Sequence, residues 1–507
     1  MSPSYTRRTV RWRLLMRAVV SLGLLLTVLG CQRAPGPASN STKAFTDHLD
    51  TRVPALMSRY QVPGTALALI RDGGVVWTGA YGYADRGNRQ PMGPDAIFRA
   101  ESISKPVTAW GVIRLAENGA IDLDVPVERY LQGFELDVSG FDARKITVRR
   151  LLSHSAGLTL GSIGESAEYT PGASMPLLRD YLSHEAHITR APGTAFEYSN
   201  VGFNMSELIV ENVTGRNFAD YMARDVLRPL GMNRSGFSWS KQIGESMPLG
   251  YDLHGAPVPA YVYPASASGG LLATAEDIGR FVAASVTRGR AGLAADTTHH
   301  AVLPPESIQL LHQPEIEIGG LFGVVADGYG LGHFVETLPG GQSAVWHGGQ
   351  GHGWMTHFHA VPESGDGIVV LTNSERSWPM MARVLTDWAQ WRGLGSVKFG
   401  RITNAETVFW GLIALGTIAV LLQVIRLMRD ATLGRRHWRP FSEAHRLVRG
   451  LQAIAGTGIL AVIGWSAAQP YLFVSSIFPV AAVWAGRVLA TLAIALMVSA
   501  LFPRTET

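Results

Sequence analysis

The chain is poor in cysteine and in charge. Its 507 residues include a single cysteine, Cys31, which excludes a disulfide within the chain and a cysteine-rich zinc site. Charged residues make up 17%, against about 25% in typical soluble domains. Apolar residues make up 47%, and the mean hydropathy is positive, so part of the chain is expected in lipid. The net charge is +4. A nucleic-acid-binding surface would need that excess clustered on a folded face. Here the densest basic cluster lies between apolar spans, so no nucleic-acid partner is expected. The G-x-S-x-G elbow of α/β-hydrolases is missing. So are H-E-x-x-H and C-x-x-C pairs, and although His347, His352, His357 and His359 lie close in sequence, no metal and no cofactor is expected.

The two ends differ from the middle. Arg7, Arg8, Arg11, Arg13 and Arg17 precede an apolar run from Ala18 to Leu29, followed by Gly30-Cys31. Residues 1–31 therefore read as a secretory signal. Its tail, VLGC, is similar to a lipoprotein signal, in which Cys31 would carry the lipid; ordinary cleavage or a retained helix leaves Cys31 a bystander. Residues 32–42 (QRAPGPASNST) read as a linker.

The last hundred residues hold apolar spans at about 407–426, 450–473 and 480–502, each long enough to cross a bilayer at about 1.5 Å per residue. Between the first two lie Arg426, Arg429, Arg435, Arg436, Arg439, Arg446 and Arg449. An arginine-rich loop belongs on the cytoplasmic side. The residues before Thr407 then lie outside, on the side to which the signal also sends them. A lipidated Cys31 followed by Gln32 would favour an outer membrane, whereas apolar helices favour the inner membrane. The expected location is the inner membrane of a bacterium, with the large domain facing the periplasm or exterior. Arg487 interrupts the third span and should face a partner helix or snorkel outward. Trp410, Trp465, Tyr471 and Trp484 are candidate interfacial anchors.

Residues 43–400 form the large domain. Phe45, Leu49, Val53 and Leu56 share helical spacing. GTALALI, RDGG and VVWTGAYGYA read as a hairpin. SAVWHGG, WMTHFHAV and GIVVLTNS read as later strands, and PMMARVLTDWAQW as a closing helix. Helical stretches from Pro106 to Asn118 and from Ser206 to Val213 lie between. Strands at both ends and helices between them predict an α+β fold with one antiparallel sheet, flanking helices and a helical subdomain, followed by the three-helix transmembrane region of residues 401–507.

Three segments carry candidate chemistry. In FRAESISKPVTAWGVIRLAENG, a helix starting at Ser102 would put Lys105 one turn on, facing the same way. A serine hydroxyl needs a base, and a lysine kept neutral by burial can be one. Alone, this spacing is more often a helix cap and a surface lysine. The second segment is Tyr198-Ser199-Asn200, where a tyrosine can move a proton and an asparagine can bind an amide; the plain alternative is a buried tyrosine at a turn. The third is His347-Gly348-Gly349, expected on an edge strand where glycines let a substrate backbone approach closely.

Taken together, S-x-x-K, Y-x-N and H-x-G resemble the three motifs of the penicillin-recognising serine hydrolases. This β-lactamase-related superfamily includes class C β-lactamases, D-alanyl-D-alanine carboxypeptidases, D-aminopeptidases and related esterases. LLSHSAGL (Leu151 to Leu158), SASGGLLATAEDIGRF (Ser266 to Phe281) and YGLG (Tyr329 to Gly332) also resemble family segments, so the likeness runs over about residues 45–395. It implies a β-lactamase/transpeptidase-like fold. Ser102 would be the acylated nucleophile, Lys105 its activating partner and Tyr198 the general acid and base. Asn200 would orient the substrate amide; His347, Gly348, Gly349 and Gln350 would line the substrate. The backbone N–H groups of Ser102 and Gln350 would form the oxyanion hole. His154 is expected to shape the fold. Arg99 is a general family residue.

His347 stands where many relatives carry a lysine that holds a substrate carboxylate, which argues against β-lactam hydrolysis. Domain plus three helices also resembles prodrug-activating periplasmic peptidases that remove an N-acyl-D-amino-acid cap. The expected function is thus an amidase or peptidase acting on D-amino-acid-containing peptides or an acylated precursor. An esterase or β-lactamase of the same fold is the alternative, as is a membrane sensor of penicillin or cell-wall peptide. Against the sensor, the cytoplasmic parts are one loop and the tail PRTET. Asp122 and Asp124 could suggest paired carboxylates for glycoside cleavage but sit in a turn. Small-molecule or peptide substrates and the membrane are the partners foreseen, with no protein partner identifiable.

Overall fold

The computed structural model describes residues 40–138, 140–286, 302–320, 322–439, 445–467 and 473–504. The expected signal, Cys31, most of the linker and Tyr471 lie outside them. The chain divides into two compact units, one spanning 37–401 and one containing 402–507.

In the larger unit, α1 (Thr42–Tyr60) leads into β1 (Gly64–Arg71) and β2 (Gly74–Asp85), the expected hairpin. Short β3 (Gln90–Pro91) follows. After the helical region come β4 (Ile316–Glu317), β5 (Gly328–Tyr329), β6 (Phe334–Thr337), β7 (Ser343–Gly351), β8 (Trp354–Val361) and β9 (Asp366–Thr372). They form one sheet in the order β3-β2-β1-β9-β8-β7-β6-β5-β4. Every pairing is antiparallel, so N-terminal β1 closes against C-terminal β9. The sheet thus joins the two ends of the domain and leaves the middle of the chain to build the helical side.

The principal helices of that middle are α2 (Ser104–Glu117), α3 (Asn200–Thr214) and α4 (Ala275–Ser285). Ile278, Phe281 and Val282 of α4 share a core with Ala66, Ala68 and Ile70 of β1 and with Val369 and Leu371 of β9. Alternation along β1 points Leu67 and Leu69 to the other face. There α1 packs on α5 (Trp378–Trp391), with Phe45 stacked on Trp391 at 4.4 Å. Helices on both faces explain why β1, β8 and β9 are buried nearly throughout. Their sequences accordingly read as unbroken apolar runs rather than alternating ones.

Two expectations are corrected. Ser102 does not begin the helix: residues Glu101–Ile103 form one 3₁₀ turn and α2 starts at Ser104. Nor is β7 an edge strand, since it lies between β6 and β8. Yet β6 pairs only with Ser343–Trp346, so residues 347–351 of β7 have a strand partner on the β8 side alone. The second helical stretch begins at Asn200 rather than Ser206, because Ser199 caps it by accepting the Gly202 N–H at 3.1 Å.

The second unit holds α6 (Arg401–Thr432), α7 (Arg446–Ala467) and α8 (Pro479–Leu501), each long and apolar enough to cross a membrane. Large apolar side chains stand exposed on them, Leu415 at 66% and Ile454 at 71%, a pattern that suits candidate membrane spans. Gly456 lets α7 approach α8, since a Cβ there would sit 3.0 Å from the Ala493 carbonyl. Gln423 Nε2 donates to Ser499 Oγ at 3.1 Å, tying α6 to α8. Arg487 stacks over Trp484 of its own helix at 5.0 Å.

Candidate active site

Glu101 is buried and has φ +50°, a conformation that costs a non-glycine residue about 1–3 kcal/mol. The surroundings hold it there. Arg99 Nε donates to its Oε1 at 2.9 Å, as does the Tyr261 hydroxyl, and the Tyr263 hydroxyl donates to Oε2 at 3.0 Å. Hydrogen bonds to a charged group contribute about 1.5–3 kcal/mol each, enough to offset the strain. The Ala100 carbonyl accepts from Thr356 Oγ1 at 2.7 Å, and the Glu101 carbonyl from Ser104 Oγ at 2.6 Å. The turn carrying Ser102 is therefore fixed against β8 and the start of α2.

The glycines of β7 serve this turn. A Cβ on Gly349 would lie 2.5 Å from the Ala100 carbonyl oxygen, and one on Gly351 2.3 Å from the Glu101 carboxyl carbon. Gly349 was expected to admit a substrate backbone. In the structure both glycines admit the turn that carries Ser102.

Lys105 is fully buried, and its Nζ donates to Ser102 Oγ at 2.9 Å and to the Ser268 carbonyl at 2.8 Å. Burial pulls its pKa down to about 7, against an opposing pull from Glu101. Ser268 belongs to the SASGG segment. Thr108 and Glu207 hold that segment: Thr108 Oγ1 donates to the Ala267 carbonyl at 2.9 Å, and Glu207 Oε2 accepts the N–H groups of Ser266 and Ala267 at 2.6 and 2.7 Å.

Tyr198 precedes the α3 cap. Ser199 Oγ donates to the Thr159 carbonyl at 2.6 Å, and the Ser199 N–H reaches His154 Nδ1 at 3.1 Å. The His154 ring lies 4.3 Å from the Tyr198 ring, and burial holds this histidine well below its usual pKa. Burial raises the pKa of the Tyr198 hydroxyl, against an opposing pull from Ser102. It is therefore a neutral phenol above the Lys105 amine, which lies 4.9 Å from its ring centre.

His347 behaves differently. It is fully buried. Its Nδ1 lies 2.8 Å from the Gly348 carbonyl, which fixes the proton there, and its Nε2 accepts from the Tyr329 hydroxyl at 3.0 Å. Burial, then the Lys105 charge, hold it well below its usual pKa. Both nitrogens are spent on the protein.

A cleft of about 80 Å³ opens beside Ser102, with Asn200 and Gln350 in its wall. The Gln350 side chain is held by Trp378 Nε1 at 3.0 Å. His347, Gly348 and Gly349 do not line it. Wall residues that the motifs did not reveal are Glu168, Asn204 and Tyr263; Ser268 also lines it, and only its segment had been singled out.

Residues 49–388 match the model of the β-lactamase family. The chain belongs to the β-lactamase family. Members are serine hydrolases, and the antiparallel sheet with its helical side is their fold. Penicillin-binding protein 4 of Amycolatopsis lactamdurans is 29% identical over 340 residues, covering 64% of this chain and 84% of the relative. Protein flp of Staphylococcus aureus (strain COL) is 23% identical over 339 residues, covering 66% of this chain and 64% of flp. The chain thus spans just under two thirds of the length of that relative. The octameric penicillin-binding protein homologue from Pyrococcus abyssi is similar in structure, with a TM-score of 0.57 and 26% identity, over 69% of this chain and 78% of that one.

Proposed function

We propose that this protein is a membrane-anchored serine hydrolase that cleaves an amide or ester bond through an acyl-enzyme on Ser102. The observation that carries the reading is the Lys105 amine, 2.9 Å from Ser102 Oγ and poised near neutrality. A neutral amine takes the hydroxyl proton as Oγ attacks the carbonyl carbon. The tetrahedral oxyanion would rest on the backbone N–H groups of Ser102 and Gln350, as the family resemblance implies. Tyr198, a neutral phenol whose ring centre lies 4.9 Å from Lys105 Nζ, passes a proton to the leaving group while regaining one from the Lys105 ammonium. Water then cleaves the acyl-enzyme by the reverse relay.

The substrate class we favour is a D-amino-acid-containing peptide or an acylated precursor. His347, neutral and enclosed, offers no charge to a substrate carboxylate, which weighs against β-lactams. The apolar exteriors of α6, α7 and α8 support anchoring. The arginines joining α6 to α7 support a cytoplasmic loop, with residues 43–400 outside an inner membrane.

Full-length protein in detergent, treated with a fluorophosphonate and weighed intact beside Ser102→Ala, tests the mechanism. One adduct on the wild type alone is expected. A folded wild type that takes no adduct overturns it.

A further inference from the structure

The same cleft has an unusual balance of donors and acceptors. Glu168 Oε1 and Asn204 Oδ1 are buried acceptors with no hydrogen-bond partner, and both residues line the cleft beside Ser102. The Asn204 residue is 3% exposed and the Glu168 side chain 9%. Buried acceptors are rarely left unmatched, because each forfeits its hydration. Two in one cleft mark a place where a ligand brings donors.

Charge points the same way. Among the described residues, no arginine, lysine or histidine lines the cleft; Lys105 touches it through Ser102. Glu101 is compensated by Arg99. Glu168 meets His352 Nδ1 at 3.1 Å through Oε2, a partner that is cationic only when protonated. The carboxyls of Glu101 and Glu168 thus stand in the cleft wall with no basic side chain among the residues that line it. A group that donates several hydrogen bonds and carries positive charge fits both observations, and an ammonium has three donors and no acceptor.

We propose that Glu168 and Asn204 form a subsite for a primary ammonium group on the substrate, close to the carbonyl that Ser102 attacks. The chain would then select amino-bearing acyl groups, which favours the D-amino-acid-containing peptides of the proposed substrate class over an N-acylated precursor. This inference rests on the acyl-enzyme reading of Ser102.

Full-length protein in detergent tests it with alanyl p-nitroanilides of either chirality, each with a free amine, an N-acetyl or an N-succinyl group. Turnover and the slowing of fluorophosphonate labelling are both read. The free amine should exceed both capped forms by about tenfold or more, the scale of a hydrogen bond to a charged group. In Glu168→Gln the ratio should fall toward one, with labelling of Ser102 showing that the site still assembles. The wild-type ratio stands as a test even where that variant fails to fold. A ratio near one, a preference for the succinyl form, or a preference that survives Glu168→Gln overturns the subsite. So does equal protection of the site by a neutral primary carboxamide, because charge would then play no part. No labelling of folded wild type overturns the Ser102 reading itself, and the subsite with it.

Discussion

Lys105 and His347 are both fully buried bases, yet one keeps its nitrogen on Ser102 and the other has both nitrogens closed off by the protein. Burial penalises the charged form of each. Lys105 keeps its nitrogen on the nucleophile, 2.9 Å away, so the lost charge becomes basicity aimed at Ser102. The His347 ring spends one nitrogen on the Gly348 carbonyl and the other on Tyr329, so its lost charge leaves nothing to offer. Desolvation alone therefore does not make a catalytic group; a free atom directed at the reacting bond does.

The sharpest way to break this contrast is to remove the amine. Lys105→Met keeps most of the buried volume and deletes the base. Its kcat/KM should fall by about 10²–10⁴, the usual contribution of a positioned general base. Fluorophosphonate labelling should slow in step. A fall of less than about tenfold would mean that another group activates Ser102.

Tyr198→Phe should cost less, about 10²-fold, because the phenol carries a proton rather than generating the nucleophile. Labelling, which needs no protonated amine leaving group, should suffer less than amide hydrolysis. Equal losses in both would place the tyrosine in serine activation instead.

The lysine also sets a pH dependence. It acts as base when deprotonated, and burial lowers its pKa from 10.5 to about 7. The labelling rate should climb as pH rises, level off above about 7, and lose this limb in Lys105→Met. Had burial not shifted the amine, the limb would sit near an ordinary lysine value of about 10.4. A rate flat from acid to alkaline pH would refute the assignment.

The placing of Ser102, Lys105 and Tyr198 was legible in the sequence because each sits at a fixed offset within a local motif: Ser102 and Lys105 one turn apart, Tyr198 just before a capped helix. The sheet was legible because its inner strands are apolar runs bounded by glycine turns. What escaped was made by contacts distant in sequence. Glu101 adopts φ +50° because Tyr261 and Tyr263, about 160 residues away, donate to it, and no local pattern announces that. The contact that Gly349 makes was hidden for the same reason, since the object approaching it is the segment of Ala100 and Glu101. The start of α2 shifted by two residues because the 3₁₀ geometry of Glu101–Ile103 is set by those same partners.

The smallest effect should come from His347. Its place in the motif invites a catalytic or substrate-holding role, but its geometry gives it a packing and hydrogen-bonding one. His347→Asn strands the Tyr329 hydroxyl and removes ring contacts with Tyr198 and Phe334 at 6.2 and 5.2 Å. Leaving a buried polar group unmatched costs about 1–3 kcal/mol, so the unfolding temperature in detergent should drop. Labelling of Ser102 below that temperature should stay within about tenfold of wild type, below the 10²-fold minimum of a proton-transfer role. A loss of labelling comparable to that of Lys105→Met, with stability unchanged, would erase the contrast between the two bases, because a ring closed off by Tyr329 and Gly348 has no path to the nucleophile except by moving.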